Sequence, residues 1–108
     1  MYINAFNRLM SHEITLVRQE RDYTGSLTDT ETLQERGFVQ YGAKRMINTE
    51  GEEITATAIV FLPASSNFDP GHFLWRVEHG SRKMKLASPE VIDDSRTGET
   101  HHYELGVI

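Results

Sequence analysis

The chain has 108 residues, a mass of 12.4 kDa, and 16 acidic against 11 basic residues, a formal net charge of −5 with histidines neutral. That length makes one domain, residues 1–108, able to bury about two-thirds of the surface its unfolded form exposes. The acidic balance excludes a protein that coats nucleic acid through a basic stripe, and the absence of cysteine removes both a disulfide framework and thiolate chemistry.

No apolar run approaches the ~18 residues of a membrane span, and the first ten residues lack the apolar stretch of a leader. Tyr2, Ile3, Phe6, Leu9 and Met10 fall close to helical spacing, which predicts a short N-terminal helix or docking arm over residues 1–11. Residues 12–18 read as a strand, with Ile14 and Leu16 alternating against Thr15 and Val17. Residues 19–36 are polar and nearly free of aliphatics, with a turn signal at Thr24-Gly25-Ser26. This stretch is expected to be a long surface loop, a hairpin-like excursion or a short helix over residues 29–35. A long loop also offers a partner surface, with Tyr23 at its centre.

A second strand is predicted over residues 37–41. It runs into residues 42–53, which carry the Thr49-Glu50-Gly51 turn. Residues 53–62 form the strongest strand signal: Ile54, Ala56, Ala58, Val60 and Leu62 share one face, and Ile59 and Phe61 make the other face apolar, as in a central or barrel strand. Asp69-Pro70-Gly71 supplies a turn. Residues 72–78 alternate again, with Phe73, Trp75 and Val77 as the core face, and His79-Gly80-Ser81 is a hairpin turn. Residues 83–86 pair back, and residues 88–92 lead to a turn over 93–98. The last strand is residues 100–107, where Tyr103, Leu105 and Val107 share a face. Six short strands with little helix predict a mainly β fold, a small six-stranded barrel with a long loop and a minor helical element.

Catalytic chemistry finds no footing. No nucleophile–base pattern, phosphate-cradling glycine loop or metal-ligand spacing is present, so no enzyme activity, cofactor or metal is expected. His101 and His102 are adjacent, and on a regular strand they point to opposite faces. Arg82, Lys83 and Lys85 sit beside a hairpin turn, either as charges that discourage unwanted strand pairing or as contacts for an acidic partner subunit.

Three features of the C-terminal half carry a resemblance. The apolar run Ala56-Thr57-Ala58-Ile59-Val60-Phe61-Leu62-Pro63 is followed by Asp69-Pro70-Gly71 and a tight hairpin. The chain then closes on Asp94-Ser95-Arg96-Thr97-Gly98-Glu99-Thr100-His101-His102-Tyr103-Glu104-Leu105. Over residues 12–108 this resembles the head-closure proteins of long-tailed phages, also called stoppers or head-completion proteins, minor capsid proteins of the head–tail connector.

The resemblance implies a small β-barrel that assembles as a six- or twelve-fold ring below the portal and its adaptor. Such a ring extends and closes the channel for double-stranded DNA after packaging, without sequence recognition, and docks a tail terminator or tail tube. It implies a virion location at the neck, host cytoplasm before assembly, and no membrane. A loop between the second and third strands gates the channel in such proteins. Here it matches residues 42–53, with Gly42, Lys44, Arg45, Asn48, Glu50 and Glu52, and it is shorter than in the best-known stoppers. Tyr2, Phe6, Tyr23, Arg82, Lys83 and Lys85 are candidate subunit or partner contacts. The alternatives are a tail terminator or another connector ring protein, and an OB-like barrel binding single-stranded nucleic acid.

Overall fold

The computed structural model describes residues 9–48 and 50–108. They form six strands: β1 (His12–Arg21), β2 (Leu27–Ile47), β3 (Glu53–Pro63), β4 (Trp75–His79), β5 (Arg82–Asp93) and β6 (Thr100–Val107). All pairings are antiparallel, and the sheet closes on itself in the order β1-β2-β3-β6-β5-β4. Two strands belong to both halves of this closed sheet. The first half of β2 pairs with β1 and its second half with β3, while β5 starts on β4 and continues on β6. Closure satisfies backbone groups that an open sheet would leave at its edges.

The interior follows the period of two. Ile14, Leu16, Val60, Leu62, Val77, Leu105 and Val107 are fully buried, with Trp75 and Phe68 beside them. A second, smaller cluster of Met46, Ala56 and Ile59, backed by Ile54 and Phe61, lies apart from the main core. The face expected for β3 therefore divides. Ala58, Val60 and Leu62 enter the main core, but Ile54 and Ala56 serve the second cluster. The division falls where β6 ends opposite Ala58 and where a bulge between Tyr41 and Lys44 bends β2.

Of the alternatives for residues 19–36, the hairpin is the one found. Residues 27–36 pair with β1 along their whole length, and the turn lies at residues 22–26. Residues 29–35 are strand, not helix. Every residue from Glu20 to Thr32 is exposed, so this hairpin is an arm projecting from the closed sheet. The predicted N-terminal arm lies mainly outside the described residues, Tyr2 and Phe6 included. Within it Leu9 is exposed and Met10 buried.

Phe73 departs from expectation. It is 52% exposed, whereas Trp75 and Val77 are buried. Regular pairing in β4 begins at Trp75; upstream of it Gln19 N donates to Leu74 O (2.8 Å), His72 Nε2 donates to Gln19 O (2.7 Å) and Trp75 Nε1 donates to His72 O (2.8 Å), a path that leaves Phe73 facing solvent. Phe61, on the outer face, is half-buried between Phe38 and His102, at ring separations of 6.2 and 6.3 Å. Phe61→Ala is therefore expected to cost on the order of 1–2 kcal/mol in urea denaturation, below the ~3–5 kcal/mol of a fully buried phenylalanine.

Candidate functional site

The stretch matched to a gate, residues 42–53, is the end of the β2–β3 hairpin. Gly42 sits at the bulge with φ 140°, a value that side-chain-bearing residues rarely adopt. Lys44 then pairs with Ala56, and Arg45 with Thr55; Arg45 also reaches Glu53 at 3.4 Å on the surface. The turn is held by Asn48, whose Oδ1 accepts from the backbone of Glu50 (3.0 Å) and Glu52 (2.8 Å). Asn48, Glu50 and Glu52 are thus brought together as an Asx turn, with both carboxylates exposed.

This hairpin is pinned to the barrel wall. Met46 is buried against Gly106, and Ser88 Oγ donates to Ile47 O at 2.7 Å. Its side chains Lys44, Arg45, Glu50 and Glu52 point to solvent, but its backbone is fastened across the outer face of β6 and β5. Sequence reading missed Met46 and Ser88, which do the fastening. Their signal is slight: one apolar residue in a polar stretch, and one buried serine.

The β1–β2 arm is the freer projection. Tyr23 at its tip is fully exposed. The Asp22 carboxylate accepts from Thr24 N (2.8 Å), Thr24 Oγ1 (2.5 Å) and Ser26 N (3.0 Å), and these bonds, the Thr24 side chain's first, hold its pKa below the ordinary value of 3.8. At the arm's base, Arg76 makes a bidentate pair with Asp29 (3.2 and 2.9 Å), and its Nε donates to Glu78 at 2.7 Å. Arg76, with help from Gln19, lowers the Asp29 pKa below 3.8.

Both aspartates are solvent-accessible, so their contribution is local. It is present above pH 3.8 and is lost as the pH falls through their lowered folded values. Amide exchange at Thr24 and Ser26 should accelerate below pH 3.8, relative to the core strands, as Asp22 protonates. Equal protection of both regions down to global unfolding would show that Asp22 does not hold the tip.

Arg82, Lys83 and Lys85 open β5 beside the β4–β5 turn, all exposed. The Arg82 guanidinium lies 4.5 Å from the Tyr41 ring centre, and the Tyr41 hydroxyl stands 2.7 Å from His79 Nδ1. Beside Lys83 and Lys85 opens a groove of about 340 Å³, bounded by the arm and by Phe73 and Leu74. The structure thus brings the Lys83–Lys85 pair together with Arg21 from the arm. It does not bring them near the Asn48 turn.

A row of rings runs across the sheet, one from each of five strands. His79, His12, Phe38, Phe61 and His102 follow at centroid spacings of 5.0, 5.0, 6.2 and 6.3 Å. His12 Nδ1 accepts from Val39 N at 2.9 Å, which places its own proton on Nε2 when neutral. His101 and His102 correct the opposite-face expectation, since their Nδ1 atoms approach to 2.8 Å. The cause is a bulge: Ile92 pairs with His102 and Asp93 with Thr100, so His101 is the extra residue. Among the described residues, no group of three or more potential metal ligands gathers.

Comparison of the chain with protein-family models, curated proteins and solved structures finds no match.

Proposed function

We propose that this chain is a head-completion or stopper protein of a tailed-phage neck. It forms a ring below the portal and adaptor, closes the DNA channel after packaging, and presents the docking platform for the tail. The observation that supports this reading is the layout of β2. A single 21-residue strand carries one hairpin at each end of a small closed sheet. Such a subunit has a rigid centre for packing side by side in a ring and projections for the rings above and below. Its net charge of −5 suits a wall along which DNA must slide, since like charges lack the counterion-release attraction that would hold it.

Within this reading, the exposed β1–β2 arm is a better candidate for a moving element than residues 42–53, which Met46 and Ser88 fasten down. The isolated protein is expected to be mainly monomeric, with the ring templated by its neighbour in the neck.

The row of rings favours a second reading, a nucleic-acid-binding barrel, because such proteins stack bases on aromatic side chains. Here the rings are half-buried and already lie against one another, His12 flat on Phe38 at 13°. That leaves little free face for a base.

The test is electron microscopy of virions lacking the gene, with purified protein added back. Emptied heads beside free tails, joined on adding the protein, are the expected result. Normal joined particles would end the neck assignment. Strong, salt-dependent binding of the free protein to single-stranded oligonucleotides would favour the second reading.

A further inference from the structure

β1 starts at His12, opposite Gly37, and β2 runs on past that point. Val39 stands two residues beyond the last β1 pair. Were β1 continued in register, Met10 would lie opposite Val39 and its carbonyl would complete the ladder. The His12 ring does this instead, its Nδ1 accepting from Val39 N at 2.9 Å. Val39 is 4% exposed, and an amide left unbonded there carries the cost of its lost solvation.

A backbone amide can only donate, so this bond exists only while His12 Nδ1 keeps its lone pair. His72 and His79 are placed differently. His72 Nε2 already donates to Gln19 O, and the Tyr41 hydroxyl beside His79 Nδ1 can accept as readily as donate. The His101–His102 pair has the Glu104 carboxylate beside it, 3.6 Å from His102 Nε2, to offset a gained charge. His12 has no such compensation. Its ring faces Phe38 on β2 and His79 on β4, each at 5.0 Å. Next to His79 stands Tyr41 of β2, with the Arg82 guanidinium of β5 4.5 Å from its ring centre. Glu78 on β4 is taken by Arg76 at 2.7 Å, and Glu13 lies on the other face of β1, opposite Arg36. Among the described residues, no carboxylate comes within 4.0 Å of His12 or His79.

We infer that His12 is an acid-released latch that holds the entry of β1 onto β2 and β4. When Nδ1 takes up a proton, the Val39 bond is lost and the imidazolium leaves its place on Phe38 and beside His79. The start of β1 then comes away, while the rest of the closed sheet stays paired. The opened state is the one that binds the proton, so opening grows as the pH falls below the ordinary histidine value of about 6.5. This device needs neither a partner nor DNA, and it does not depend on the neck reading.

Amide hydrogen exchange followed by NMR tests it on the whole chain. The protection factor of Val39, already corrected for the intrinsic pH dependence of exchange, is compared with that of Leu105, which sits on a strand paired on both sides. Between about pH 8 and about pH 5, Val39 protection should fall at least about tenfold relative to Leu105. Over the same range the 15N shift of His12 Nδ1 should change from that of a bare ring nitrogen to that of a protonated one. His12→Asn puts a non-titrating oxygen where the ring has Nδ1, so it should keep Val39 protected and remove most of the pH dependence. His79→Gln should leave the pH dependence in place, because the proton that matters is the one on His12.

Circular dichroism at both pH values checks that each variant is folded. Unchanged Val39 protection in the wild type overturns the inference whether or not the variants fold, as does a His12 Nδ1 that already carries a proton at about pH 8. A loss that persists in His12→Asn would show that acid acts elsewhere, and one abolished by His79→Gln would move the latch to His79; either overturns the assignment. Parallel loss at Val39 and Leu105 would mean that acid unfolds the whole sheet, with no latch.

Discussion

Trp75→Ala is expected to cost roughly 3–5 kcal/mol, the range for truncating a large buried aromatic. Small domains have about 5–15 kcal/mol in total, so this loss leaves a substantial unfolded population at physiological temperature. Trp75 is 2% exposed at the wall of the main core. Its ring packs on Phe68 at 5.4 Å and edge-on against His72 at 5.7 Å. Removing it opens a cavity and strips the His72 carbonyl of its donor at 2.8 Å. The control lies two residues upstream: Phe73→Ala, at a 52% exposed position, should change stability by less than about 0.5 kcal/mol. Urea unfolding followed by circular dichroism compares the two, with the slope expected to stay constant and the midpoint to move only for Trp75→Ala. Equal losses would mean that β4 presents both rings to the core, as simple alternation from residue 72 predicts.

That pair also marks where the sequence stops being legible. The strands at residues 53–62 and 100–107 were readable because β-branched and aromatic residues recur there at a period of two. The six-stranded mainly β class followed from them. The alternation of Phe73, Trp75 and Val77 looked equally good, but a period carries no information about where pairing begins. Hydrogen bonds around His72 and Leu74 accompany that start. The arm was harder to read for the opposite reason. Residues 20–32 are exposed on both faces, so no hydrophobic pattern exists to betray a strand. Bulges hid the rest. One lets β2 continue through Gly42 into what reads as a loop, and another puts His101 and His102 within hydrogen-bonding distance despite their adjacency.

The candidate surfaces divide along the same line. Lys83 and Lys85 are visible as a cationic cluster because they are neighbours in the chain. Their companions Arg21, Leu27 and Phe73 come from distant segments, and only closure of the sheet assembles them into a groove. The row of rings is likewise invisible in sequence, because each strand contributes a single member. Local chemistry can be read along the chain, whereas a surface built from one residue per strand needs the register.

Gly37→Ala is expected to be as damaging as the loss of a core side chain, although it adds only a methyl group. Gly37 stands where β2 leaves β1 and joins β3, between the His12–Gly37 and Phe38–Phe61 pairs. A Cβ there would overlap the Phe61 carbonyl oxygen and lie 2.7 Å from Ile14 Cδ1 and 3.0 Å from Leu62 Cδ2. The carbonyl belongs to the β3 backbone, so neither it nor the two buried side chains has a free direction to yield. The cost should lie at or above the upper end of the ~1–3 kcal/mol usual for overpacking.

Gly106→Ala makes the contrast. Its Cβ would overlap Met46 Sδ, the far end of a flexible side chain that can swing aside. Its cost should be smaller, and it should shrink further in a Met46→Ala background, where only Ser88 Cβ at 3.3 Å still crowds the new methyl group. Met46→Ala gives Gly37→Ala no such relief. Thermal and urea unfolding of the three single and two double variants measure both cycles. If Met46→Ala rescues neither glycine substitution, the hairpin at residues 42–53 is not fastened on Gly106, and that stretch regains its candidacy as the moving element of the channel. If it rescues Gly106→Ala alone, the hairpin is part of the barrel wall and the exposed arm is the projection to mutate first.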